Sequence, residues 1–511
     1  MSWLKSRGLA GLMLAATLAG APLAAPAFAQ DVAPAATAVA VAEAAPALAA
    51  PAEMAVPAPA PAAVAAPIPD KGDTTWMLVS TVLVLLMIVP GLALFYGGLV
   101  RQKNMLSMLM QVGVVTVIGM IAWLFWGYSL SFSDGGGLDK FIGGAGRLFL
   151  KDVTPASTVA TFSTGVVIPE LVFMAFQMTF ACITAALVLG GVAERMKFAA
   201  VVIFAILWPL LSYYPLAHMV WWWAGPDAVA AAPKDPIQAG LIWGFGALDF
   251  AGGTVVHINA GIAALMGALI LGPRKGYGTE PMPPHSLTLT MTGAGLLWVG
   301  WFGFNAGSNL EANGYAALAM VNTLVATAAA GISWVATEWV TRKRASALGL
   351  ASGLVAGLVA ITPAAGFAGP VGAVILGLVV SPVCVFFCSK IKNALKYDDS
   401  LDAFGIHAIG GILGAIATGL LVNPAWGGAG VVDYTTCGLD GDISTCDTAA
   451  YVLSTQVMAQ VKAVLVSVGW SAAASSIVFF LIKYTVGLRS SLESEEEVLD
   501  ISEFGERAYH S

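Results

Sequence analysis

The chain has 511 residues, of which 58% are hydrophobic and only 10% charged; a soluble domain carries roughly a quarter charged residues, so water is not its main solvent. The formal net charge of −7 is modest and is not gathered into one acidic or basic face, which argues against nucleic acid as a partner. The GxxxxGK[ST] string of a nucleotide-driven motor is absent, and no nucleophile and base stand at the spacing of an intramembrane hydrolase.

Residues 1–30 carry Lys5 and Arg7, an apolar stretch from Leu9 to Leu23, and the small-residue pattern Ala27-Phe28-Ala29 before Gln30. This is the pattern of a cleaved signal peptide, and cleavage leaves the mature N-terminus on the export side. The alternative, an uncleaved first span, has against it the shortness of the stretch and its breaks at Gly20 and Pro22. Residues 31–71 form an Ala/Pro-rich leader with no period to pack.

From residue 72 to 488, apolar runs recur at the length that crosses a bilayer core, about 20 residues each. Splitting them at charged and Pro/Gly-rich breaks gives about eleven transmembrane helices, centred near Leu85, Val117, Phe180, Leu207, Ala260, Leu297, Ala326, Leu354, Leu376, Leu413 and Val468. With the N-terminus outside, the inner loops carry twelve Lys and Arg residues, from Arg101 to Lys396, and Arg489 follows the last span. The opposite loops carry only Lys140, Arg147, Lys151 and Lys234. The positive-inside rule therefore places the C-terminus in the cytoplasm, with the spans in a bacterial inner membrane.

An internal echo stands in the fifth span of each five-span block: His257-Ile258-Asn259-Ala260-Gly261 and His407-Ala408-Ile409-Gly410-Gly411 both read His-x-x-small-Gly. A duplicated block of five spans re-enters the membrane inverted, which places a site at the bilayer midplane. Chance similarity between Gly/Ala-rich helices is the competing explanation. Cys182, Cys384 and Cys388 fall inside spans as small apolar residues. Cys437 and Cys446 fall in the export-side loop after the tenth span, where an oxidising compartment permits a disulfide.

Ionisable residues at membrane depth are costly and mark function until a structural role is found. Asp249, His257, His407, Glu170, His218, Lys462 and Lys483 lie inside spans or at their mouths, and the two lysines can snorkel to the interface. Asp249 heads DFAGGTVVH, eight residues and about 12 Å of helix before His257. It can cap the helix and also lower the energy of a nearby cation. His257 and His407, mid-span and facing each other, could share one N–H···N bond and relay a hydrogen-bonding solute. A two-His metal site lacks a third ligand, and satisfied structural histidines are the remaining alternative.

DFAGGTVVH at 249–257, GWFGFNAGS at 300–308, DAFGIHAIGG at 402–411 and AFQMTFACIT at 175–184 resemble the motifs of the Amt/Mep/Rh ammonium transporters, in the right order and in four spans. The resemblance covers residues 72–511. It implies ammonium or methylammonium uptake with no enzymatic reaction and no cofactor. It also implies an outer cation site of Trp221, Phe180 and Ser308 with Asp249 recruiting, a stacked gate of Phe180 and Phe304, and a pore lined by His257 and His407. Similar proteins are homotrimers, and their tails, here residues 489–511, meet the trimeric P-II nitrogen-signalling protein. Where many relatives have His in the tail this chain has Phe504, a departure at that contact. The rivals are a Rh-like electroneutral ammonia channel, against which Trp221, Phe180 and Ser308 argue, and an ammonium sensor signalling through its tail.

Overall fold

The computed structural model describes residues 67–437 and 446–509. The signal-peptide segment 1–30 and all but the last residues of the leader 31–71 lie outside the described residues. Among the described residues, eleven helices are long and apolar enough to cross a membrane. They are α1 Lys71–Leu99, α2 Gln102–Phe132, α3 Glu170–Val192, α4 Phe198–Trp221, α5 Gly253–Leu271, α6 Leu287–Gly307, α7 Gly314–Arg342, α8 Ala347–Ala364, α9 Pro370–Leu395, α10 Phe404–Leu421 and α11 Leu453–Thr485. The fold is the expected all-α membrane architecture.

Local chemistry sets the helix starts. The Asp70 carboxylate accepts from the Gly72 and Asp73 N–H groups at the head of α1, Ser286 from Leu289 at α6, Asn313 from Tyr315 and Ala316 at α7, and Ser346 from Gly349 at α8. Each satisfies backbone donors that a helix start leaves free. The loop between α2 and α3 folds into a small antiparallel hairpin, β1 Thr158–Ala160 against β2 Val167–Pro169.

α1 packs on α6, and α7 on both α8 and α9, while α5 and α10 meet at the centre. Their crossing gives the His-x-x-small-Gly echo a physical meaning. Four residues after each histidine, Gly261 and Gly411 lie on the histidine's own face of the helix. Gly261 faces the Ala408 backbone so closely that a Cβ would overlap it. A Cβ on Gly411 would stand 3.1 Å from both the Gly253 carbonyl oxygen and the His257 Cβ. The glycines let the two histidine-bearing backbones touch.

An odd number of crossings puts the two ends of the described chain on opposite faces. On the tail face, Glu194 is buried between Arg101 and Arg274, and Arg274 makes three bonds of 2.7–2.9 Å to the Asp398 carboxylate. Burial raises the Glu194 carboxyl, but the Arg274 and Arg101 guanidinium groups outweigh it and hold the group down at about 2. The tail, with short helices α12 Leu492–Glu496 and α13 Leu499–Phe504, docks on this face. The Asp500 carboxylate accepts the Leu106 and Ser107 N–H groups near the start of α2 at 3.0 and 2.7 Å, and the Phe504 ring meets Phe198 edge-on at 4.8 Å. Phe504 thus makes an apolar contact where a histidine would present a polar ring. On the opposite face Cys437 and Cys446 are joined by a disulfide with Cα atoms 4.5 Å apart.

Candidate functional site

Five rings form a column from the face opposite the tail into the membrane interior. Trp221, the last residue of α4, meets Phe180 of α3 edge-on at 6.0 Å. Phe180 stacks on Phe304 of α6 with centroids 4.2 Å apart and planes 21° apart. Phe304 stands 6.0 Å from His257, and His257 stands 5.4 Å from His407 at 23°. Phe180 and Phe304 are almost wholly buried. Trp301 stacks on His257 at 5.4 Å and is fixed by its Nε1 donating to Thr362 Oγ1 at 2.9 Å.

The column opens into a cavity of about 640 Å³ lined by Trp221, Phe180, Ser308 and Asp249 together with loop residues such as Trp223 and Tyr434. Among the described residues its lining carries the carboxylates of Asp249 and Asp433 and no lysine or arginine. Aromatic faces with carboxylates and without competing cations favour a positive solute. Ser308 donates its hydroxyl proton to the Phe304 carbonyl at 2.7 Å, which leaves its oxygen lone pairs to accept a proton from a solute.

The expected site residues therefore converge, with two differences. Asp249 is first a cap: its carboxylate accepts from the N–H groups of Gly252, Gly253 and Thr254 at 2.6–2.8 Å and from the Thr254 hydroxyl, and its carbonyl accepts Trp221 Nε1 at 3.0 Å. Its carboxylate is committed to the head of α5, and its carbonyl holds the Trp221 indole. The second difference lies in the histidine pair. The expected N–H···N bond is not made; both nitrogens of His257 and Nδ1 of His407 lack a hydrogen-bond partner among the described residues. The ring planes are nearly parallel, 23° apart, and those nitrogens are available to a solute. Groups of three or more His, Cys, Asp or Glu placed to hold a metal ion are absent among the described residues.

The other membrane-depth ionisable residues have structural partners. Glu170 accepts from Tyr128 and Arg147 at 3.0 Å, Lys462 and Lys483 sit 5.9 Å over the Phe245 and Phe480 rings, and His218 bonds backbone carbonyls. Sequence reasoning missed Trp301, whose signal is no more than a tryptophan in an apolar helix. It also missed Asp399, for which a signal existed. Asp399 precedes His407 by the same eight residues that separate Asp249 from His257, and its carboxylate accepts the Ala403 and Phe404 N–H groups at the head of α10. Both histidines lie in a π-helical turn, Gly253–Ile258 and Phe404–Ala408. The echo thus extends from motif to cap to local helix geometry. Burial raises the Asp399 carboxyl against the opposing pull of Lys392.

The model of the Ammonium Transporter Family matches residues 75–509. An ammonium transporter of Aquifex aeolicus is 43% identical over 86% of this chain and 94% of its own length, and one of Bacillus subtilis 40% identical over 86% and 98%. Among solved structures, that of Saccharomyces cerevisiae Mep2 is similar with a TM-score of 0.70 and 31% identity over 83% of this chain and 91% of that one. A structure titled Sensor Amt Protein has a TM-score of 0.72 at 26% identity, covering 85% and 98%. Sequence and architecture agree: the chain belongs to the ammonium transporter family.

Proposed function

We propose that this protein takes up ammonium, and methylammonium, across the bacterial inner membrane, with the tail face in the cytoplasm. The cation gathers at Trp221, Phe180 and Ser308 under the field of Asp249, gives up its proton, and passes as the neutral base between Phe180 and Phe304 to His257 and His407. The observation that carries this reading is the column of stacked rings ending in two histidines with unpartnered nitrogens. Stripping water from an ion that must stay charged is very costly in such a conduit. Ammonium can shed its proton and potassium cannot, so the same column separates the two.

The neutral imidazoles offer a donor and an acceptor to the base and a route for the proton. The basic loops on the tail face support the cytoplasmic assignment. A homotrimer with one pore per subunit, and a P-II nitrogen-signalling protein at the tail face, are the partners the family resemblance implies. A sensing role is the second reading, favoured by the similar fold of the sensor Amt structure and by the tail docked on the loops. No chemical conversion of the solute belongs to either reading.

The test is the current evoked by an ammonium pulse over proteoliposomes adsorbed on a planar membrane. A saturable transient that is lost, or loses its preference for ammonium over potassium, in the His257→Ala/His407→Ala protein supports charge-coupled transport. Absence of current in either protein, with ammonium binding intact, supports an electroneutral ammonia channel or a sensor instead.

A further inference from the structure

His218 takes no part in the ring column, yet its surroundings are chemically unusual. The ring is fully buried near the end of α4. Nδ1 lies 3.0 Å from the Ser131 carbonyl oxygen of α2, and Nε2 lies 2.7 Å from the Asp139 carbonyl oxygen in the loop that follows. A carbonyl oxygen only accepts, so each contact needs a proton on the nitrogen that faces it. Neutral imidazole has one such proton for two nitrogens. Both bonds coexist only in the imidazolium, and the neutral ring turns a lone pair on one of the two carbonyls.

Burial works against a charge on the ring, and its neighbours work for one. The ring stacks on Trp222 with centroids 4.8 Å apart and planes 13° apart, and an indole face attracts positive charge. The charged groups facing it are carboxylates of the loop after α2: Asp139, 3.9 Å from Nε2, and Asp134. The Asp139 side chain is 20% exposed, which gives a proton a way in from solvent.

The same segments build the cation mouth. Trp222 N–H donates to the His218 carbonyl, Gly240 N–H to that of Trp222, Ile242 N–H to that of Met219, and Leu241 N–H to that of Lys140. The Asp139 loop, the end of α4 and residues 240–242 are thereby woven together three residues from Trp221.

We propose that His218 is a positioning residue for Trp221. As imidazolium it ties the end of α2 and the Asp139 loop to the aromatic mouth, and loss of its proton releases one tie and weakens the hold on the cation. The identity of that cation rests on the transport reading; the protonation of the ring does not. The test uses the full chain carrying ¹⁵N-histidine in lipid nanodiscs, with the His218 signals assigned by their loss in His218→Gln, titrated from pH 8 to pH 4.

Two N–H signals from His218, or the appearance of the second as pH falls, are expected. Over the same interval the ammonium concentration for half-maximal current should fall severalfold in wild type, stay flat in His218→Gln, and leave the maximal current unchanged. A ring with one N–H throughout, or an identical pH dependence in wild type and His218→Gln, overturns the proposal. If His218→Gln does not fold, Asp139→Asn serves: it removes the nearby carboxylate from a partly exposed position, and the doubly protonated form should become less populated at a given pH. An unchanged His218 titration in that variant counts against the proposal. Loss of all ammonium current in wild type would sink the transport reading while leaving the titration to decide the state of His218.

Discussion

The imidazole of His257 lies 5.4 Å from that of His407 with the planes 23° apart, and neither His257 nitrogen is bonded within the described protein. A glutamine at 257 would keep a donor and an acceptor but could not take up a proton near neutral pH. His257→Gln should therefore retain methylammonium binding while its charge-coupled current falls by about a hundredfold, the lower end for a lost proton-transfer group. Parallel measurements of methylammonium binding and membrane current check it; undiminished current would remove His257 from the proton route.

Asp249 holds five donors at the head of α5 and the indole of Trp221 through its own carbonyl. Asp249→Ala should lower stability by roughly 2 kcal/mol, the upper end for a lost cap, and weaken ammonium recruitment as Trp221 loses its register. The thermal midpoint in detergent and the half-saturating ammonium concentration report the two effects separately. A variant with normal stability and no recruitment would instead mark Asp249 as a direct cation ligand.

The α5–α10 crossing has no room for side chains at its two glycines. Gly411→Ala, whose Cβ would stand 3.1 Å from the Gly253 carbonyl oxygen, should destabilise by about 1–3 kcal/mol, and Gly261→Ala by more. Gly295, exposed on α6 with open space around its Cβ position, is the control, and Gly295→Ala should leave the midpoint unchanged or raise it. Equal effects at all three positions would show that the crossing is not tightly packed.

Glu194 is a carboxylate whose folded-state pKa is depressed to about 2 by Arg274 and Arg101. A depressed carboxyl stabilises the fold fully above its unfolded pKa, and that contribution is lost as pH falls through the folded value. Wild type should thus exceed Glu194→Gln by roughly 3 kcal/mol at neutral pH, as for a broken buried pair. The difference should shrink from about pH 4.5 toward pH 2. Unfolding midpoints of both proteins across this range test the sign; a gap that widens in acid would contradict it.

Much of this protein was legible in the chain itself. Bilayer thickness turns apolar length into spans, so eleven runs of low charge became eleven helices without any knowledge of their packing. The eight-residue step from Asp249 to His257 and the repeat of His-x-x-small-Gly are local patterns, and they located the cap, the histidines and the crossing glycines. The step from Asp399 to His407 was equally available and went unread, because the extra acids of the Asp398–Asp402 stretch hid it.

Tertiary structure alone decided what depends on the angle between distant side chains. No spacing along the chain could show that His257 and His407 stand nearly parallel without bonding each other, that Trp301 backs one of them, or that the Asp249 carboxylate is consumed by α5. Nor could it show that both nitrogens of His218 meet carbonyls carried by α2 and its loop. Hydrophobicity acts without direction and sums over a run of residues, so it can be read from sequence. Hydrogen bonds and ring contacts depend on distance and angle between groups set by different helices, and only the assembled bundle defines them.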